Sequence, residues 1–166
     1  MKTGKNTSRF QYIARETQLT ASHAEFAVRK AYGGEPPVAA TATLTFTAGS
    51  SNGATITLVD TAQLSRTYTV ASSLNAAARQ FRASSATQAR NDLATCIAAS
   101  AGHNGTIITS KTSTNILTLT QAVVGKAGNT DILSSSLNVT LSPLTGSFSG
   151  GQDGLDQKYN PHDNEY

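Results

Sequence analysis

The sequence predicts an α+β domain, a small and mainly antiparallel β-sheet domain with one main helix packed on it, flanked by extended N- and C-terminal arms. Three observations predict it. Segments between residues 39 and 151 alternate apolar residues with threonines, as strands with one solvated face do. One segment among them changes to helical spacing. The chain ends, 1–38 and 152–166, differ from this body in composition and are set off by the breakers GGEPPV and SGGQDG.

The body, residues 39–151, opens with strand patterns. In TATLTFTA, Leu44 and Phe46 alternate with threonines, and GATITLVD and SRTYTVAS continue the alternation. Asn52 and Gly53 suit a tight hairpin turn, because both residues tolerate positive φ. We therefore expect a meander of three strands at the start of the body.

The segment SSATQARNDLATCIAASAGHNG predicts the main helix. Ser85 and Gln88 form a capping box, and apolar residues then recur at helical spacing up to a glycine. We expect a helix over residues 86–101. Its face on the sheet carries Leu93, Cys96 and Ile97. The preceding LNAAARQF can be another short helix or an insertion.

The segments after the helix predict the remaining strands. GTIITSKTSTNILTLTQ gives two strands around a turn at residues 112–114, and SLNVTLS gives a last strand. The resulting order is an α+β sandwich of one sheet with one main helix on a face. The core candidates are Ile107, Ile116, Leu117 and Leu119.

Composition favours a structural domain over an enzyme. Only 14% of the 166 residues are charged, and Ser, Thr, Ala and Gly dominate, a composition common in β-rich structural domains and uncommon in compact enzymes. The lone Cys96 excludes an internal disulfide framework. Since no segment is apolar enough for a signal peptide or a membrane span, we expect a soluble protein without a membrane partner.

The stretch GKAGNTDI resembles a phosphate-binding loop but fails its spacing rule. Thr120 stands where the first glycine belongs, and Ala127 stands where Ser or Thr is required. We interpret the stretch as a turn in which glycines supply the geometry and Asn129 caps local amides.

Other candidate sites also favour structural interpretations. GSFSG places Phe148 where a nucleophilic serine would stand. Asp92, Cys96 and His103 are close in sequence, but Cys96 lies on the apolar helix face, where a thiol is usually inert. One copy of GGQDG cannot form a calcium-binding repeat and is interpreted as a flexible exit from the body. We expect no catalytic residue, cofactor or metal, and the dispersed basic residues of the body predict no nucleic-acid partner.

The two ends of the chain carry most aromatic residues and opposite charge. The arm (1–38) is basic and contains a predicted short helix over residues 23–32, whereas the tail (152–166) is acidic. Six of the ten aromatics lie in these ends, and exposed aromatics lose favourable burial, so we expect both ends to dock on something. The predicted anchors are Phe10, Tyr12, Phe26, Tyr32 and Tyr159, with Arg9, Arg15 and Asp156 setting register.

Several of these motifs together resemble a domain that recurs in virion structural proteins of tailed bacteriophages. Its features are an Asn-Leu-x-Ala-Ile helix, a strand, an Ala-Gly-Asn turn and a terminal Gly-Gly. The parallels in this chain are Asn91, Leu93 and Ile97, residues 116–120, Ala127-Gly128-Asn129, and Gly150-Gly151. The resemblance implies a virion component, and it implies that GKAGNTDI is the turn into the last strand.

We therefore expect a bacteriophage virion structural protein, assembled in the host cytoplasm. The leading hypothesis is a capsid decoration or cement protein whose arms bind neighbouring subunits. A tail or fibre-attachment component is the alternative, and a host-surface carbohydrate-binding module is a third class. The expected partners are the major capsid protein or tail proteins, together with further copies of the chain.

Overall fold

The computed structural model describes residues 35–154, of which Pro37–Gly154 form one compact unit. The predicted arm up to residue 34 and the tail from residue 155 lie outside the described residues. Within the described part there are eight strands, one α-helix and two short 3-10 turns. No helix among these residues is long and apolar enough to cross a membrane.

The strands form two four-stranded sheets. In chain order they are β1 (Ala39–Phe46), β2 (Thr55–Val59), β3 (Ser65–Val70), β4 (Gln80–Phe81), β5 (Ile107–Ser113), β6 (Ile116–Val124), β7 (Ile132–Ser135) and β8 (Val139–Ser142). The first sheet has the order β5-β6-β1-β8 and is antiparallel throughout. The second has the order β4-β3-β2-β7, in which only β3 and β4 run parallel.

The alternation of threonine with apolar residues fixes the two faces of each sheet. Leu44 in β1 is fully buried and lies opposite Leu117 in β6 and Leu141 in β8. Thr43, the neighbour of Leu44 along the strand, lies on the other face and is only half-buried. The inner faces of both sheets contribute to one apolar core, because successive side chains of a strand point to opposite faces.

The helix α1 (Ala86–Ala98) also contributes to this core. The Ser85 side chain accepts a hydrogen bond from the Gln88 amide, as the capping box predicts. Leu93, Cys96 and Ile97 are all completely buried, which confirms the predicted face. The helix ends three residues before the predicted end, since Ala99 is already extended.

The predicted fold class is confirmed, but the single sheet and the opening meander are wrong. β1 and β2 belong to different sheets, and the eight residues between them carry the chain from one sheet to the other. Gly53 has the positive φ expected of a turn, 89°, yet that turn joins two sheets and makes no hairpin. Alternation predicts which face of a strand is buried, but it does not predict which strand lies beside it.

Three smaller corrections concern the segments around the helix. LNAAARQF forms a 3-10 turn at Ala76–Ala78 and the short strand β4. The β5–β6 turn lies at residues 114–115 rather than at 112–114. Among the core candidates, Ile107, Leu117 and Leu119 are buried, whereas Ile116 is only half-buried because it lies on the outer face of β6.

Candidate attachment site at the chain ends

The chain enters and leaves the body at one place. Val38 and Gln152 form an antiparallel bridge, in which the Val38 amide donates to the Gln152 carbonyl at 2.8 Å and the Gln152 amide donates to the Val38 carbonyl at 3.1 Å. Val38 directly precedes β1, which is an inner strand of the first sheet. The N-terminal and C-terminal segments therefore start side by side.

The turn after β6 holds both chain ends. The Gly125 amide donates to the Val38 carbonyl at 2.9 Å, and the Lys126 amide donates to Oδ1 of Asp153 at 2.9 Å. Gly125 has a φ of 114°, a left-handed value that favours glycine. This turn is the GKAGNTDI stretch, so its glycine and its amides position the chain ends.

Asn129 joins this turn to the C-terminal segment. Its Oδ1 accepts from the Gly151 amide at 2.9 Å, and its Nδ2 donates to the Gly151 carbonyl at 3.1 Å. The prediction that Asn129 caps local amides is wrong, because its partner lies 22 residues away along the chain. The side chain thus imitates the paired hydrogen bonds of a neighbouring strand.

Gly151 is buried where the two segments meet. A Cβ atom at this position would lie 2.4 Å from the Gly125 carbonyl oxygen and 3.0 Å from Cβ of Ala40. The interpretation of GGQDG as a flexible exit is therefore wrong for its first residues. Gly151, Gln152 and Asp153 all bond to the body, and the requirement for close backbone approach explains the glycine.

A buried polar network beneath this site connects the two sheets. Nε2 of Gln121, in β6, donates at 2.9 Å both to the Val59 carbonyl of β2 and to Oγ1 of Thr130. Thr130 Oγ1 in turn donates to the same Val59 carbonyl. These bonds bridge β6 and β2, while Oε1 of Gln121 has no hydrogen-bond partner among the described residues. Gln121 thereby fixes the base of the site to both sheets.

Exposed valines surround the paired chain ends. Val38 is 45% exposed, Val123 56% and Val124 47%. They are neighbours because Val124 pairs with Ala39 and the next residue, Gly125, bonds to Val38. We call Val38, Val123 and Val124 the chain-end patch. Val123 and Val124 are successive residues of β6, so their side chains point to opposite faces of the sheet, and the three valines are grouped by backbone position rather than joined into one continuous apolar surface.

Most polar groups of this site belong to the backbone. Its polar atoms are backbone amides and carbonyls, one side-chain amide and one exposed carboxylate that already accepts a hydrogen bond. Among the described residues, no group of three His, Cys, Asp or Glu side chains could hold a metal ion.

Asp92, Cys96 and His103, which are close in sequence, have separate partners in the structure. Sγ of Cys96 donates to the Gln80 carbonyl at 3.3 Å, and Asp92 pairs with Nε of Arg82 at 2.7 Å. His103 instead contacts the Tyr68 hydroxyl at 2.7 Å. Burial raises the pKa of the Cys96 thiol to about 11, which disfavours the reactive thiolate. The structure therefore does not bring these side chains together as nucleophile and base.

The aromatic residues and the groove beside the start of α1 give little support for a ligand-binding site. Phe46, Tyr68, Phe81 and Phe148, the four aromatics of residues 35–154, are all buried, so none can stack against a sugar ring. An open polar groove of about 610 Å³ lies beside the start of α1 and includes Arg82, Ser84 and Gln88. Its only charged group, Arg82, is already paired with Asp92.

The predicted arm anchors lie outside the described residues. These are Phe10, Tyr12, Phe26, Tyr32, Tyr159, Arg9, Arg15 and Asp156. Sequence reasoning missed the chain-end patch and the Val38–Gln152 bridge. The sequence signal closest to this site is a pair of short motifs, Ala127-Gly128-Asn129 and Gly150-Gly151. The two motifs contact each other through the hydrogen bond between Asn129 and Gly151.

Comparison of the chain with protein-family models, with curated proteins and with solved structures gives no match.

Proposed function

We propose that this chain is a non-enzymatic structural protein of tailed-bacteriophage virions, a capsid decoration or cement protein that binds neighbouring subunits through its two ends. The observation that carries the proposal is the Val38–Gln152 bridge, which starts both ends at one pinned place on a compact body. The sequence resemblance to virion domains supplies the class of particle.

Paired chain ends suit a protein that joins others. An extended chain spans about 3.3 Å per residue, so the 34 residues before the described part have the length to contact more than one neighbour. A mechanical force applied to either end would be transmitted to the first sheet through the backbone hydrogen bonds of Val38, Gly125 and Gln152. The bonds from Asn129 to Gly151 and from Lys126 to Asp153 hold the second end in the same way.

Apolar and charged residues at the chain ends would have different roles, because they contribute different amounts of binding free energy. Exposed ion pairs contribute only about 0–1 kcal/mol each, whereas a few buried aromatic anchors dominate most interfaces. The aromatics at the two ends would therefore supply affinity, and Arg9, Arg15 and Asp156 would set register. The chain-end patch would add apolar area at the base of the contact.

The test is incorporation of a shortened chain into particles. The truncated chain should begin at Glu35, because removal through residue 38 would also delete the Val38 bridge to Gln152. We expect it to keep its circular dichroism spectrum and to stop co-sedimenting with particles that lack the protein. A full-length chain with Phe10, Tyr12, Phe26 and Tyr32 changed to alanine should behave in the same way.

The matched control is Ile108→Ala, which removes an exposed apolar side chain from the outer face of the first sheet. It should co-sediment like the unaltered chain. A folded chain beginning at Glu35 that still binds at full occupancy would contradict the docking role of the arm.

A further inference from the structure

The chain contains two asparagines that are followed directly by glycine, Asn52 and Asn104. Both residues of each pair are exposed. In such a pair the backbone nitrogen of the glycine can attack the side-chain amide carbon of the asparagine, because glycine has no side chain to hinder the approach. The attacking nitrogen must give up its proton, so a hydrogen bond donated by that N–H opposes the attack. The reactivity of each pair therefore depends on how its glycine amide is bonded.

The peptide group that joins Asn104 to Gly105 makes no hydrogen bond to any residue in the range 35–154. Neither the Gly105 amide nor the Asn104 carbonyl has a partner there, and the Asn104 side chain has none either. A Cβ atom at Gly105 would meet nothing within 4 Å. The peptide group and the side chain beside it are therefore free to rotate toward each other.

The residues around this peptide group are held in place. The Asn104 amide donates to the Ile97 carbonyl at 3.1 Å, and the Thr106 amide donates to the His103 carbonyl at 2.9 Å. Asn104 has a φ of 45°, a left-handed value that asparagine adopts more readily than most residues do. The loop between α1 and β5 therefore stays folded while it exposes one unbonded peptide group to water.

The peptide group that joins Asn52 to Gly53 is bonded instead. The Gly53 amide donates to the Val70 carbonyl at 2.9 Å. Gly53 has a φ of 89°, close to the 92° of Gly105, and a Cβ atom there would also meet nothing within 4 Å. The two pairs thus match in sequence, exposure and glycine conformation, and they differ in the hydrogen bond of the glycine amide.

We propose that Asn104 is a site of spontaneous deamidation, with water as the co-reactant. The Gly105 nitrogen loses its proton and forms a bond to Cγ of Asn104. The bond from Cγ to the side-chain nitrogen breaks, and this nitrogen leaves as ammonia, so that a succinimide ring closes. Water then opens the ring at one or the other carbonyl. One opening gives aspartate, and the other gives isoaspartate, in which the backbone runs through the former side chain.

Both products change the loop between α1 and β5. Each removes one unit from the formal net charge of +3, because a neutral amide becomes a carboxylate. Isoaspartate also lengthens the backbone by one methylene group between Asn104 and Thr106, the residues whose amides anchor the loop. The modified chain is therefore separable from the unmodified chain by ion exchange.

Incubation of the full-length chain in mildly alkaline buffer, followed by peptide mapping with mass spectrometry, tests the proposal. Asn104 should deamidate about fivefold or more faster than Asn52, because a backbone hydrogen bond must break before Asn52 can react. In guanidinium chloride, where both pairs are unfolded, the two rates should become similar. Asn104→Gln should remove the acidic form that accumulates, whereas the matched control Asn52→Gln should leave it.

Hydrogen exchange gives an independent measurement. The Gly105 amide should exchange fast, and the Gly53 amide should be protected. Equal deamidation rates at Asn52 and Asn104 in the folded chain would overturn the proposal. So would an Asn104 that reacts in guanidinium chloride but stays intact in the folded chain, or a Gly105 amide as protected as that of Gly53. These measurements involve no particle, so their outcome is independent of the proposed virion role.

Discussion

The hydroxyl of Tyr68 lies 2.7 Å from Nδ1 of His103, and both side chains are buried. On the other side of the imidazole ring, Nε2 is 3.4 Å from the Leu64 carbonyl oxygen. A carbonyl can only accept, so Nε2 carries the proton and Nδ1 accepts from the Tyr68 hydroxyl. This neutral histidine connects the loop after α1 to β3 and to the turn between β2 and β3.

Stability should fall as the solution becomes acidic, because burial lowers the pKa of His103 below its ordinary value of 6.5. Asp60 opposes this shift, and Arg66 adds to it. Since the folded state binds the proton less readily than the unfolded state, stability is complete above pH 6.5 and is lost as the pH falls through and below 6.5. The loss is at most about 1.4 kcal/mol for each pH unit.

Urea denaturation at about pH 7.5 and about pH 5, above the range in which most carboxylates titrate, measures this dependence. His103→Gln should be less stable than the unaltered chain at the higher pH and should show a smaller loss on acidification. An unaltered chain that is equally stable at both pH values would contradict the neutral, buried histidine.

Tyr68→Phe should destabilise the protein by about 1–3 kcal/mol, because it leaves Nδ1 of a buried histidine without a donor. The ring itself still fills the core, so the melting curve should stay cooperative at a lower midpoint. Thr69→Val, at the neighbouring half-buried position on the outer face of β3, is the control. A midpoint equal to that of the unaltered chain would show that the hydrogen bond contributes nothing.

Leu93→Ala should cost about 2–5 kcal/mol, because Leu93 is completely buried at the centre of the face that α1 packs into the core. The measurement is the free energy of unfolding in urea. Thr87→Ala changes an exposed residue of the same helix and should stay within about 0.5 kcal/mol. Equal effects of the two substitutions would mean that the helix does not pack as described.

Gly151→Ala should destabilise the site at the chain ends by about 1–3 kcal/mol, because the added Cβ would meet the Gly125 carbonyl oxygen at 2.4 Å. Asn129→Ala should act in the same direction by removing both side-chain bonds to Gly151. Faster hydrogen exchange at Gln152 in both variants would locate the change. Unchanged protection there would show that the C-terminal segment is not held in this way.

The fold class and the core face of the helix were predictable because they depend on local patterns. The capping box at Ser85 and the spacing of Leu93 and Ile97 are readable within one segment. The division into two sheets was not predictable, because β1 and β2 show the same alternation but pair with different strands. β7 was missed since Leu133 faces outward and serines follow, which leaves Ile132 as its one buried residue.

The candidate site depends on contacts between segments far apart in sequence. Val38 and Gln152 are separated by nearly the whole body, and nothing in either segment indicates the other. Asn129 looked like a local cap because asparagine commonly has that role in turns, yet the close approach of Gly151 gives it a distant partner. The sequence indicates that these glycines provide turn geometry. It does not indicate which atoms lie close to them, such as the Gly125 carbonyl oxygen beside Gly151.

The copy number of the chain in purified phage particles tests the proposed virion role most directly. Quantitative mass spectrometry should give a ratio to the major capsid subunit that approaches one, because a decoration protein binds throughout the shell. A number in the tens per particle would instead place the chain in the tail or at a fibre attachment. Its absence from particles that are otherwise complete would contradict a structural role in the virion.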